Sequence, residues 1–255
     1  MELPITIILA GGLGKRMNSD LPKVLHLVAG KPMLYWVVKK AREISKKILI
    51  VVGKYKKQIQ QEMLKYFKKD YLIYVDQPEE TVGFFNPISK VKGTGNAIAC
   101  CLPYLNDEPF TDVLILSGDV PLINVDTLKN VLAKKNTVLI KNTNKPTGYG
   151  RIIFENECIV DIVEEKDCTE EQKNINFVNG GIYNLTIDTL QQTIPEIKNV
   201  NEAKEYYLTD FVKIAKEKKI NIYTYELPES QAYELVNINT QEDLSDANNF
   251  RFYEF

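Results

Sequence analysis

The stretch ITIILAGGLGKRM, residues 5–17, runs from an unbroken apolar segment into three glycines and two cations. An apolar run of this length with no alternation reads as a strand buried on both faces, the kind found inside a parallel sheet. The glycines that follow let backbone N–H groups come close to an anion, and Lys15, Arg16 and the nearby Lys23 supply positive charge. Two well-known phosphate loops do not fit. A dinucleotide fingerprint starting at Gly12 needs glycine at position 17, where Met17 stands. A Walker loop needs glycine where Leu9 lies and a hydroxyl residue where Arg16 lies. These residues alone leave two readings open, a phosphate-holding loop or a glycine-rich surface turn.

Working outward, strands and helices alternate. Residues 5–10, 47–52, 71–76 and 112–116 read as strands, and 33–45, 55–68, 95–105 and 124–135 as helices. From about residue 136 the segments shorten to TVLIKN, RIIF, CIVDIVEE and NFVNGGIYNL, followed by a helix near 208–219. The expectation is an α/β fold, a mixed and mostly parallel central sheet flanked by helices, with a smaller second lobe across a cleft. No linker, repeat or low-complexity tract divides the chain, so residues 1–255 are expected to form one domain. Residues 1–135 would form one half, 136–240 the other, and 241–255 a C-terminal helix or tail. Ligands in such sheets sit beyond the carboxyl ends of the strands, where both LAGGLGKR and LSGDVPL fall.

Composition narrows the function classes. Hydrophobic content of 44%, 26% charged residues and a net charge of -2 describe a globular chain. No apolar run approaches the roughly 20 residues that span a bilayer, and MELPIT is no leader peptide, so a cytoplasmic protein without a membrane partner is expected. The four cysteines, at 100, 101, 158 and 168, have no C-x-x-C spacing and read as buried or idle thiols. Residues 39–69 hold eleven Lys or Arg against two Glu, yet Tyr55, Ile59, Met63 and Phe67 recur every four residues. The lysines then form the wet side of an amphipathic helix, and no nucleic-acid partner is expected.

The longer segment LAGGLGKRMNSDLPKVLHLVAGKPML, residues 9–34, resembles the opening of the N-acetylglucosamine-1-phosphate uridylyltransferases, the pyrophosphorylase half of a bifunctional bacterial enzyme. The resemblance continues in order through GTGNAI, LSGDVPLI, PTGYGRII, IVEEKD, NGGIYNL, EYYLTD and ELVNINT, nearly the whole chain. It implies a Rossmann-like, GT-A-like nucleotidyltransferase fold. It also implies attack of N-acetylglucosamine 1-phosphate on the α-phosphate of UTP with Mg²⁺, giving UDP-N-acetylglucosamine and pyrophosphate. A monoester phosphate is largely dianionic at neutral pH, so no protein base is required. The work falls to cations and a metal.

Site residues follow from the resemblance position by position. Arg16 and Lys23 match the cations on the phosphates, and Leu9, Gly11, Gly12 and Gly14 the phosphate loop. Gln77, Gly93 and Thr94 match the residues around uracil. Gly148, Glu164, Asn179, Tyr207 and Thr209 match the sugar site, and Asp119 and Asn237 the two Mg²⁺ ligands. Arg16, Lys23, Asp119 and Asn237 are therefore expected to share one crevice. Several positions depart from the family: Lys15 replaces a small hydroxyl residue, Gly180 a threonine, and NIN at 237–239 stands where NNR is usual. An insertion at 78–92 carries Phe84 and Phe85, suited to a flap, to stacking on the base or to self-association. His26, the only histidine, reads as a packing or hydrogen-bonding residue. The acetyltransferase repeats of the bifunctional enzyme are absent from these 255 residues, so no acetyl transfer is expected, and oligomeric state stays open. A transferase for another sugar or nucleotide, or an inactive nucleotide-sugar sensor, are the other readings.

Overall fold

A computed structural model describes residues 3–78, 80–81, 89–90, 92–106, 108 and 111–249. The opening apolar run is strand β1 (Ile5–Leu9), and it lies at the centre of a nine-stranded sheet. β2 (Leu27–Val28) and β3 (Lys31–Pro32) form a small separate pair. β1 pairs in parallel with β4 (Lys47–Val52) on one side and β8 (Asp112–Ser117) on the other, and β5 (Leu72–Asp76) extends the block beyond β4. Helices α1 (Met33–Ile44), α2 (Lys56–Met63), α3 (Thr94–Ala99) and α4 (Val125–Leu132) make the crossovers. Consecutive residues of β1 serve opposite faces: Ile5 and Ile7 pack in one apolar cluster with Leu49 and Phe211, and Ile8 packs in another with Leu34 and Ile50. Burial on both faces explains why this strand shows no polar alternation.

Past β8 the sheet changes character. β12 (Phe177–Thr186) runs antiparallel to β8, with Tyr183 opposite Ile115, and carries β9 (Thr137–Asn142) and β10 (Arg151–Glu155). β10 turns into β11 (Cys158–Val163) through Asn156 and Glu157, both at positive φ (48° and 64°), the geometry of a tight two-residue hairpin. The apolar pattern missed β13 (Tyr223–Glu226), parallel to β9, because its side chains are largely exposed. It also missed the short helices α5 (Glu170–Lys173) and α6 (Ile187–Thr193), each opened by a threonine cap. α7 (Phe211–Glu217) and α8 (Gln241–Asn249) fall where helices were expected.

Two expected spans come out shorter. The helix read over 55–68 ends at Met63, and the chain continues in turns that still bury Phe67. The helix read over 95–105 is α3 and a separate turn at Leu102–Tyr104. The lysine reading needs one correction: Lys57, Lys65 and Lys68 are exposed, but Lys40 is only 7% exposed. The four cysteines are free, and Cys158 is exposed rather than buried. Phe84 and Phe85 lie outside the described residues, between the paired segments β6 (Glu80–Thr81) and β7 (Ser89–Lys90).

Leu114 is fully buried on β8, whereas Val200 is 88% exposed. Leu114→Ala should lower the unfolding free energy by about 2–5 kcal/mol, and Val200→Ala should stay within about 0.5 kcal/mol. Denaturant titration of both variants checks the assignment of the core.

Candidate active site

Backbone pairing continues past the ends of the parallel strands. The Ala10 N–H donates to the Val51 carbonyl at 2.9 Å, Gly118 N–H to Leu9 at 2.9 Å, and Gln77 N–H to Val52 at 2.8 Å. The glycine loop, the LSGDVPL loop and Gln77 therefore leave the sheet side by side. In the loop, Gly14 has φ +60°, and a Cβ on it would lie 2.6 Å from that of Lys23. Met17, placed where a dinucleotide fingerprint would need glycine, is fully buried and donates its N–H to the Gly14 carbonyl at 2.9 Å. It anchors the loop. Gly12 faces open space and Arg16 is exposed.

Lys23 follows Pro22 in a short turn, and its ammonium donates to Asp119 Oδ2 and, at 3.0 Å, to Asn239 Oδ1. The other oxygen of Asp119 accepts from Ser117 Oγ at 2.5 Å. The Ile238 N–H donates to the Asp119 carbonyl at 3.1 Å, which brings the 237–239 segment alongside. Gly14, Arg16, Lys23 and Asn239 line a cavity of about 160 Å³. Arg16, Lys23, Asp119 and the segment containing Asn237 thus meet in one crevice. Asn239 was not among the expected site residues; the only signal for it was the departure from NNR. Among the described residues no three His, Cys, Asp or Glu gather into a metal cage. The donors here are one carboxylate and one amide oxygen converging on a positive charge, which suits a hard ion such as Mg²⁺ completed by water and phosphate oxygens.

Gln77 donates Nε2–H to the Gly93 carbonyl at 3.0 Å, so these two expected base residues are in contact. Gly93 has φ +111°, and a Cβ there would lie 2.2 Å from the Tyr206 carbonyl oxygen. That close approach stitches the halves together: Tyr206 N–H donates to Lys92, Gly95 N–H to Tyr206, and Leu208 N–H to Thr94 Oγ1. On the far side Thr209 Oγ1 donates to Glu164 Oε1 at 2.9 Å. Asn179 is held at a register shift in β12, its Nδ2–H donating to the Tyr183 hydroxyl at 2.7 Å and its Oδ1 accepting from Gly181 N–H. Gly148 N–H donates to Glu165 Oε2 at 3.0 Å, and that carboxylate pairs with the buried Arg151 at 2.7 Å. Arg151 and Glu165 lie within the motifs TGYGR and VEEKD, but their structural pairing is invisible in sequence.

Charge is unevenly placed. Arg16 and Lys23 line the crevice, whereas Asp161, Glu164 and Asp167 lie near enough to Asp210 to raise its pKa. Burial holds the Glu164 carboxyl above its ordinary range, Asp167 adds to this, and the Thr209 hydrogen bond opposes it. Burial likewise pushes up the Tyr207 phenol. His26 is 9% exposed with its imidazole lowered by burial, which fits packing rather than catalysis. Asp210 rises to about 7, first through burial and then through Asp161, Glu164 and Asp167, with Lys213 opposing.

Between the unfolded value of about 3.9 and about 7, folded Asp210 keeps a proton that the unfolded chain has released, so stability falls as pH rises through this window. Asp210→Asn should remove that slope. Its Tm should match wild type near pH 4 and exceed it at pH 8 by roughly 2–4 °C, the shift made by about 1 kcal/mol in a chain of this size.

Comparison with known proteins gives the family. Residues 6–164 match the MobA-like NTP transferase domain. A protein of Acanthamoeba polyphaga mimivirus named "Probable UDP-N-acetylglucosamine pyrophosphorylase" is 44% identical over 252 residues, covering 95% of this chain and 94% of that one. The "Bifunctional protein GlmU" of Caldanaerobacter subterraneus subsp. tengcongensis is 39% identical over 256 residues, 97% of this chain and 51% of that protein. The chain spans about half the length of such bifunctional relatives. A solved UDP-glucose pyrophosphorylase complexed with UDP-glucose superposes with a TM-score of 0.71 over 97% of both chains at 18% identity, a likeness of fold. The chain belongs to the MobA-like NTP transferase domain family of nucleotidyltransferases.

Proposed function

We propose that this protein makes UDP-N-acetylglucosamine and pyrophosphate from UTP and N-acetylglucosamine 1-phosphate. The observation that supports the reading is the meeting of Arg16, Lys23, Asp119 and residues 237–239 in one crevice, together with the contacts of Gln77 with Gly93 and of Thr209 with Glu164. The name of the mimivirus relative, which covers almost its whole length, supports the choice of sugar nucleotide.

In the reaction a phosphate oxygen of the sugar phosphate attacks the α-phosphorus of UTP. A new P–O bond forms, the bond to the β-phosphate oxygen breaks, and pyrophosphate carries away the electron pair. The attacking monoester is already largely dianionic, so no side chain need take a proton. That agrees with a site whose only histidine is buried in packing. The backbone of Leu9 to Gly14 wraps the triphosphate, and Arg16 and Lys23 neutralise charge on the transferring and departing phosphates. Asp119 and Asn237 would hold Mg²⁺, which when bound supplies Lewis-acid charge to phosphate oxygens. Gln77 offers a donor and an acceptor to one edge of uracil, with Gly93 and Thr94 beside it. Gly148, Glu164, Asn179, Tyr207 and Thr209 bind the sugar hydroxyls and acetamide. No helix among the described residues is long and apolar enough to cross a membrane. The free thiols fit a reducing, cytoplasmic setting.

Incubation with UTP, N-acetylglucosamine 1-phosphate and Mg²⁺ should release pyrophosphate, and silence at high protein concentration rejects the activity. Crossing four nucleoside triphosphates with several sugar phosphates should leave this pair with the highest kcat/KM; a different winner reassigns the specificity, and tight UDP-sugar binding without turnover marks a sensor. Arg16→Ala should lower kcat by about 10²–10³. Unchanged turnover in Asp119→Ala would remove the metal assignment.

A further inference from the structure

Two buried charges behind the crevice have no part in the chemistry above. Glu234 is 0% exposed, and both of its oxygens are taken by one residue: Oε2 accepts from the Asn124 backbone N–H at 2.9 Å and Oε1 from Asn124 Nδ2 at 2.9 Å. Asn124 Nδ2 also donates to the Tyr233 hydroxyl at 3.2 Å. Lys40, 7% exposed on α1, donates to the Pro121 carbonyl at 3.2 Å. Burial lowers its ammonium to about 8, and nearby Glu234 opposes that shift. Burying an ion costs several kcal/mol even after relaxation, and an apolar pair of similar volume is often at least as stable. General stability is therefore a weak reason for charges at these positions.

Their targets give a better one. Both act on the segment 119–124, which begins at Asp119, and Glu234 lies three residues before Asn237. The two segments are joined twice, at the back by Asn124 to Glu234 and at the front by Ile238 N–H to the Asp119 carbonyl. Lys40 pins the middle of the first segment through Pro121. The result is a closed loop of backbone whose front edge carries Asp119 and Asn237. Groups that orient metal ligands from behind typically change metal affinity 10–100-fold when removed.

We propose that Glu234 is a positioning residue: by clamping Asn124 it sets the spacing of Asp119 and Asn237 and so tunes divalent-ion affinity. This rests on the reading above that those two residues hold the ion. The competing account is simple capping of α4, whose first turn follows Asn124; it predicts lower thermal stability with unchanged metal affinity.

The test is titration of the free chain with Mn²⁺ alone, followed by electron paramagnetic resonance, for wild type, Glu234→Gln and Asn124→Ala, with Tm recorded for each. The expected result is about 10-fold or greater weakening of Mn²⁺ binding in both variants, and a matching rise in half-saturating Mg²⁺ at fixed KM for the sugar phosphate. Asn124→Ala carries the test if Glu234→Gln does not fold. Equal Mn²⁺ affinity in all three proteins, including binding by none, overturns the proposal whatever happens to Tm. Absent pyrophosphate release from wild type, with Mn²⁺ binding still sensitive to Glu234, overturns the activity and leaves the positioning role standing.

Discussion

The ammonium of Lys23, held by Asp119 and Asn239, is the contact on which the rest of the architecture turns. Its partners lie 96 and 216 positions along the chain, so it closes only when the first strand, the β8 loop and the segment before α8 have all reached the same sheet edge. Parallel strands make that meeting possible, because their carboxyl ends release every following loop on one side. A cation shared by a carboxylate and an amide oxygen also tells what the place is built for: concentrated charge with hard oxygen donors, in a setting where opposite charges must be brought together and then exchanged.

The two halves are not joined through the sheet alone. Gly93 allows the loop entering α3 to lie directly on the Tyr206 carbonyl, and the hydrogen bonds from Tyr206 N–H to Lys92 and from Leu208 N–H to Thr94 continue that seam. The seam ties the Gln77 side of the crevice to the Glu164 and Thr209 side through short backbone links. The cations Arg16 and Lys23 and the acidic group around Asp210 are thus distinct clusters in one fold. Phosphates suit the first, and neutral hydroxyl and amide groups suit the second, where buried carboxylates would repel an anion but accept hydrogen bonds.

The buried charges show a cost being met for geometry. Arg151 is 1% exposed; its terminal guanidinium nitrogens meet the Tyr149 and Lys173 carbonyls and Glu165, while its buried Nε has no hydrogen-bond partner. Glu234 and Lys40 do the corresponding work behind Asp119. In each case the charge accepts from or donates to loop backbone, where a satisfied hydrogen bond adds a directional constraint to the packing of neighbours such as Val120, Leu122 and Ile123.

The amino-acid order by itself determined the parallel block, because its strands are apolar runs buried on both faces and its helices carry apolar residues every three or four positions. It also marked the glycine loop with Arg16 and Lys23 as a place suited to an anion, since three glycines beside cations are a local signal; Asp119 was singled out only through the family resemblance. It did not show β13, whose side chains face solvent, or the end of α2 at Met63, where the apolar spacing runs on through a turn. Only the tertiary structure decided that Asn239 meets Lys23, that Arg151 pairs with Glu165, and that Glu234 clamps Asn124. Those pairings join residues 14 to more than 200 positions apart, and no periodicity records a distance across a fold; it is set when strands pair and loops are forced together at one edge.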